Sequence, residues 1–292
     1  MSLLPPAAPS GAGALAAPRA PDAAVLFEGL ATMAAPDEPL RGLSNPAGPA
    51  FVEGRRWGVG ATLARGESAA GNPTFVHAFS LVEGRDGQGW ALWARYGGRD
   101  ALGGAPPGPV TELSVGYTYA MAVSPVAALG LSGHYRRVRA SASESVRDDH
   151  YLGLDIGLLA ALSEQVVAAA RIGPLLEIGQ SGLSGRAEER IAVGPALSAG
   201  LAYQANDYLI LEADALDLLN LRTGRAIRLE ARLYPAPAVA LRLGFEQNGP
   251  ESGWFIGTGV EVPGRGFAAS YAYLGGEAYG GVHQLGIMAA AP

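Results

Sequence analysis

The tightest constraint on this chain is a side-chain alternation of period two that runs through residues 207–246. In DYLILEADALDLL, Leu209, Leu211, Ala213 and Ala215 share one parity, while Glu212 and Asp214 share the other. Successive side chains of a strand point to opposite faces, so this period predicts a strand. After a polar break at Asn220 to Gly224, AIRLEARLY sets Ile227, Leu229, Ala231 and Leu233 against Arg228, Glu230, Arg232 and Tyr234. Pro235-Ala236-Pro237 then makes a tight turn, and VALRLGFE sets Val239, Leu241, Leu243 and Phe245 against Arg242 and Glu246. Three successive strands thus carry one wholly apolar face and one face of carboxylates and guanidinium groups. Either the charges face water and the apolar face covers a core, or the apolar face meets lipid and the charges line a lumen.

Composition bears on that choice. Charged residues are 16 % of the 292, against about 25 % in ordinary soluble domains, and hydrophobic residues are 49 %. The deficit favours a membrane or a large buried face. Gly (42) and Pro (21) are abundant, yet apolar strand-like runs recur throughout, which argues against disorder. All 21 basic residues are Arg, and the formal charge is −6, which gives no electrostatic reason to expect nucleic acid. There is no Cys, which excludes disulfides and thiolate metal sites.

No stretch supplies the ~18 uninterrupted apolar residues a spanning helix needs. The best candidate, residues 152–178, is broken by Asp155, Glu164, Gln165 and Arg171. Residues 1–22 are Ala/Pro/Gly-rich and read as a disordered leader or the remnant of a signal peptide. Residues 22–34 have the pattern of a short helix with Asp22 as N-cap. From Arg56 onward, strand-like runs follow one another at 56–65, 73–82, 88–97, 110–122, 126–140, 148–162, 165–178, 190–204, 207–218, 225–235, 238–247, 253–262, 266–274 and 281–290. That even count, with tight connections at Val123-Ser124-Pro125, Ser163-Glu164, Asn206-Asp207 and Pro235-Ala236-Pro237 alternating with longer ones at 98–109, 141–147, 179–189 and 219–224, is how outer-membrane barrels are built. The predicted class is all-β: an antiparallel transmembrane β-barrel of about fourteen strands. Trp57, Trp90, Tyr96, Tyr234, Trp254 and Tyr273, towards strand ends, are compatible with interfacial girdles.

Catalytic constellations are nearly absent. His77, His134, His150 and His283 are scattered without metal-ligand spacing and read as lone lumen or loop residues. Gly130-Leu131-Ser132-Gly133 is a near miss for a nucleophile elbow, and Gly257-Thr258-Gly259 runs on without the third glycine of a dinucleotide loop. No enzyme, cofactor or metal site is expected. The charged ladder remains: Glu212, Asp214, Arg228, Glu230, Arg232, Arg242 and Glu246, expected to line the lumen and pair across neighbouring strands. Such charges hold a wall together, or select solutes in a confined lumen. Asp148, Asp149, Glu188, Glu189 and Arg190 read as solvated rim.

Leu43-Ser44-Asn45-Pro46-Ala47-Gly48, just before the first strand, resembles the Asn-Pro-Ala segment of the FadL-like outer-membrane proteins, nearest the shorter PorV/PorQ-type members. LSVGYTYAMAVSPVAALGLSGHYRR, GLDIGLL, SAGLAY, LEARLYPAPAVALRLGFE and FAASYAYLGGEAYGGVHQLGI are similar to successive segments of that group, so the resemblance covers about residues 40–290. The resemblance implies a fourteen-stranded barrel with an N-terminal segment folded inward as a hatch that includes Asn45 and Pro46. The expected division is 1–22 leader, 23–55 helix and hatch, and 56–292 barrel. The implied setting is the bacterial outer membrane, with outer-membrane lipid as surroundings. Three functions stay open: a passive channel or carrier for small hydrophobic molecules, a PorV-like docking platform for secretion or surface proteins, and a soluble β-rich binding protein.

Overall fold

The computed structural model describes residues 45–64, 74–100, 109–142, 145–183, 186–191, 195–216, 218–219, 226–236, 239–248, 251–262, 267–275 and 282–290. The expected leader and the helix at 22–34 lie outside them. A short 3₁₀ turn, Gly48–Phe51, precedes the strands β1 (Gly54–Ala64), β2 (Thr74–Arg85), β3 (Gln88–Asp100), β4 (Pro109–Ser124), β5 (Ala127–Ala142), β6 (Ser145–Ala161), β7 (Val166–Leu183) and β8 (Arg186–Ile191). Then follow β9 (Ala196–Asn206), β10 (Leu209–Leu216), β11 (Ala226–Ala236), β12 (Val239–Asn248), β13 (Glu251–Val262), β14 (Phe267–Gly275) and β15 (Val282–Ala290).

Every pairing is antiparallel between neighbours. β1 pairs with both β2 and β15, and β6 pairs with β7, which in turn pairs with β9. Fourteen strands therefore hydrogen-bond in a continuous ring, and β8 stands outside it, paired among the described residues with the far half of β7 alone. Closure removes the unpaired edges that an open sheet would expose, which is a condition for spanning a bilayer with strands.

The alternation resolves as the lipid reading requires. On β10, Leu211 is 42 % exposed while Glu212 is 3 % exposed, and the same contrast separates Leu241 and Leu243 from Arg242 on β12. Phe79, Leu92, Tyr117, Leu131, Leu229, Ile256 and Leu285, from seven different strands, all lie open on the outer face. A soluble sandwich would bury that parity; here it is the outside of the molecule.

All fourteen expected strands are present, with three corrections. The run expected at 190–204 is two strands, β8 and β9. The connections expected at 141–147 and 179–189 are largely strand, because β5 continues to Ala142, β6 starts at Ser145, and β7 with β8 forms a hairpin. The tight turns do share one rim, joining β4 to β5, β6 to β7, β9 to β10 and β11 to β12. On that rim β2 and β3 meet at Asp86-Gly87, with φ of 54° and 76°. Both turn positions are left-handed, the conformation that favours Asp-Gly in a two-residue hairpin and matches strand twist.

Candidate functional site: the inner face of the barrel

Three groups of residues occupy the inner face. The first is the segment before β1. Its Asn45 is buried, donates from Nδ2 to the carbonyl of Leu158 at 3.0 Å, and accepts from the Ala47 amide at 3.0 Å, closing an Asx turn. Ala47 and Ala50 pack with Ala120, Ala128, Leu159, Ala169 and Ala202, inward residues of β4, β5, β6, β7 and β9, all but one of them alanine. The seat is made of glycine. A Cβ at Gly130 would lie 1.9 Å from the Pro46 carbonyl oxygen, and one at Gly89 1.9 Å from that of Pro49. At Gly157 it would meet Asn45 Oδ1 at 2.1 Å, and at Gly84 the Val52 carbonyl oxygen at 2.1 Å. Four strands thus give up a side chain each so that this backbone lies against the wall, near the rim of tight turns. Asn45 and Pro46 are therefore inside the barrel.

The second group is the ladder. Glu212, Asp214, Arg228, Glu230, Arg232 and Arg242 all face inward and are buried, Arg242 completely. Glu246 pairs through its backbone with Arg228 and Gly253, and its side chain lies outside the described residues. Opposite signs were expected straight across the strands, and Arg228 does stand between Asp214 on one side and Glu246 on the other. Elsewhere the register sets like against like: Glu212 faces Glu230, and Arg232 faces Arg242. Like charges directly opposite repel, so the bonds run diagonally between strands and along β11. Arg232 donates from Nη2 to Glu212 at 3.0 Å and from Nε to Glu230 at 2.8 Å, and Arg242 donates from Nε to the same Glu230 oxygen at 2.5 Å. Two guanidinium groups and two carboxylates interlock with no face open to a passing solute.

The third group was not legible beforehand. Further from the tight-turn rim, Trp93, His134 and Asp155 lie flat over glycines of the next strand. A Cβ at Gly116 would meet the Trp93 ring at 2.4 Å, one at Gly153 the His134 Nε2 at 2.3 Å, and one at Gly173 the Asp155 Oδ1 at 2.3 Å. Asp155 accepts from Arg171 Nη2 at 2.9 Å, and His134 Nδ1 stands 3.5 Å from the same oxygen. Large polar side chains are thereby laid along the wall instead of across the lumen. The available signal was glycine on the inward parity of β4, β6 and β7.

Other expectations are corrected. Only His134 faces inward; His77, His150 and His283 are on the outer face, the last two with ring nitrogens 2.6 Å and 2.8 Å from the hydroxyls of Tyr135 and Tyr271. Ser132 is buried and hydrogen-bonded to Thr118 Oγ1 at 2.9 Å, the place of a wall residue and not of a nucleophile. Asp148 is on the rim, bound by Arg137 at 2.8 Å and 2.5 Å, but Asp149 is buried. The side chains of Glu188, Glu189 and Arg190 lie outside the described residues. Among the described residues no group of His, Asp and Glu is placed to hold a metal ion.

A closed antiparallel ring with an apolar outside, a charged inside and tight turns on one rim defines a transmembrane β-barrel. No family profile and no curated protein matches the sequence. The fold is FadL-like. A FadL homologue from Pseudomonas aeruginosa superposes with a TM-score of 0.65 at 12 % identity, over 87 % of this chain and 94 % of that one. The Ralstonia pickettii toluene transporter TbuX gives 0.61 at 13 % identity, over 89 % and 94 % of the two chains. CymD, a monoaromatic hydrocarbon channel, gives 0.61 at 16 % identity, over 88 % and 93 %.

Proposed function

We propose that this protein is a passive channel or carrier for small hydrophobic molecules in a bacterial outer membrane. The observation that carries the proposal is the shared fold: solved structures of the same architecture are described as a toluene transporter and a monoaromatic hydrocarbon channel. Two features of the inner face support it. The segment at Asn45 to Phe51, held on glycine, acts as the hatch, and residues 56–292 form the barrel around it. The side chains of Trp93, His134 and Asp155, set against Gly116, Gly153 and Gly173, lie close to the wall, as a path for a solute above the hatch would require. The buried ladder is assigned to the wall: Arg232 binds both Glu212 and Glu230, and Arg242 binds Glu230, so it stiffens β10 to β12.

The test is entry of a hydrophobic fluorescent probe into cells that display the barrel, compared with cells that do not. Faster entry supports the channel; unchanged entry with folded barrel in the outer membrane overturns it. A second reading, a PorV-like docking platform for secretion or surface proteins, is favoured by the filled inner face at the hatch and by β8, which stands outside the ring. Conductance of purified protein in a planar bilayer separates the two, since a platform passes no current at any voltage.

A further inference from the structure

On the outer face, four residues fall in one cross-strand row. Arg55 on β1 pairs with Glu83 on β2, Glu83 with Trp90 on β3, and Trp90 with Tyr119 on β4. One step further along the strands the row is Trp57, Leu81, Leu92 and Tyr117, all apolar or aromatic. The outer surface thus changes from charged to apolar within two residues, which places the first row at the membrane boundary on the tight-turn side. A cavity of about 450 Å³ opens at this boundary, lined by Glu83, Arg85, Asp86, Gln88, Trp90 and Tyr119.

The lining carries both signs of charge beside two aromatic rings. Glu83 is held at 2.7 Å by Arg55, with its side chain still 37 % exposed. Arg85 and Asp86, at the tip of the hairpin, are 90 % and 86 % exposed and touch at 3.2 Å. Tyr119 donates to Gln88 at 3.2 Å, and Trp90 stacks on Tyr117 with centroids 6.4 Å apart, so both rings are fixed. A guanidinium fork suits a phosphate, while carboxylates and aromatic faces suit an ammonium group. The exposed side chains of Leu92 and Tyr117 continue from the cavity into the apolar band and offer a bed for acyl chains.

We infer that this cavity binds the headgroup of a zwitterionic phospholipid carrying a primary ammonium, the phosphate on Arg85 and the ammonium between Glu83, Asp86 and the two rings. The inference rests on the membrane-barrel reading above. By the rule that tight turns face the periplasm, the site belongs to the inner leaflet.

The experiment titrates the full-length barrel in detergent with phosphatidylethanolamine and with phosphatidylglycerol of the same chains, counting bound lipid by native mass spectrometry. Retention of the ethanolamine lipid is expected to exceed that of the glycerol lipid by about tenfold, the worth of one charge-assisted contact. Asp86→Asn is expected to abolish the difference, while Arg85→Gln is expected to lower the retention of both lipids and keep their ratio; both positions are exposed, and Asn keeps the left-handed turn. Equal retention of the two lipids, or a preference untouched by Asp86→Asn, overturns the inference while leaving the barrel reading intact. Failure of the wild type to float with vesicles of either lipid overturns both.

Discussion

At the scale of single residues, the inner face is decided by what glycine omits and what burial forbids. Gly130→Val places side-chain atoms where the Pro46 carbonyl now lies. The strand tolerates valine, but the segment across it does not. Amide hydrogen exchange is expected to rise by about tenfold or more over residues 45–52 while β5 keeps its protection, since local opening costs less than global unfolding. Equal protection of the segment in both proteins would remove the hatch. In the ladder, Arg242→Met leaves Glu230 with one of its two guanidinium partners and no access to water. Breaking a buried pair by deleting one member costs about 3–5 kcal/mol, read as a lowered urea midpoint of the folded barrel. Glu230→Gln combined with Arg242→Met is expected to cost less than the two singly, because members of one network do not add.

At the scale of elements, the β2–β3 turn and the β7–β8 hairpin make separate predictions. Gly87 has φ of 76°, and a Cβ there would come 2.9 Å from that of Ala122. Gly87→Ala is therefore expected to lose about 1–2 kcal/mol, the cost of a left-handed L-residue, measurable by the same unfolding assay. Among the described residues β8 pairs only with β7 from Ile178 onward, and that end of β7 pairs with the start of β6 beyond the stretch shared with β9; excising residues 179–190, which joins the paired Ile178 and Ile191, should leave a folded barrel with unchanged heat-modifiable gel mobility. Loss of the folded band would mean that the hairpin helps to close the wall. The elements also show where the sequence could be read. The three alternating strands at 207–246 announce themselves because one face of each meets an apolar medium. RAEE, at Arg186–Glu189 of β8, reads as loop: no alternation is required of a strand that lies beyond the ring. Gly116, Gly153 and Gly173 have no side chain, so a parity test passes over them although they shape the interior most. The diagonal ladder escaped because parity fixes which face a charge takes, while the register that set Glu212 against Glu230 comes from the turn.

At the scale of the whole molecule, hydrogen-bonded closure and an apolar exterior require a lipid or detergent phase around the protein. Extraction is expected to recover it with membranes and not in a detergent-free supernatant; a monodisperse monomer in buffer alone would overturn the membrane reading. The FadL-like architecture was legible from strand number, turn alternation and the Asn-Pro-Ala segment taken in order. The choice between channel and platform was not, since it turns on how tightly small inward residues pack, and Ala and Gly read the same in either case.

β5, β6 and β7 run 16, 17 and 18 residues, where about 9–11 tilted residues cross a bilayer. Because β4 turns into β5 and β6 into β7 on one rim, their surplus stands clear of the lipid at the opposite mouth, and β8 pairs with the far end of β7. This part of the wall is therefore held by backbone hydrogen bonds beyond the reach of the membrane.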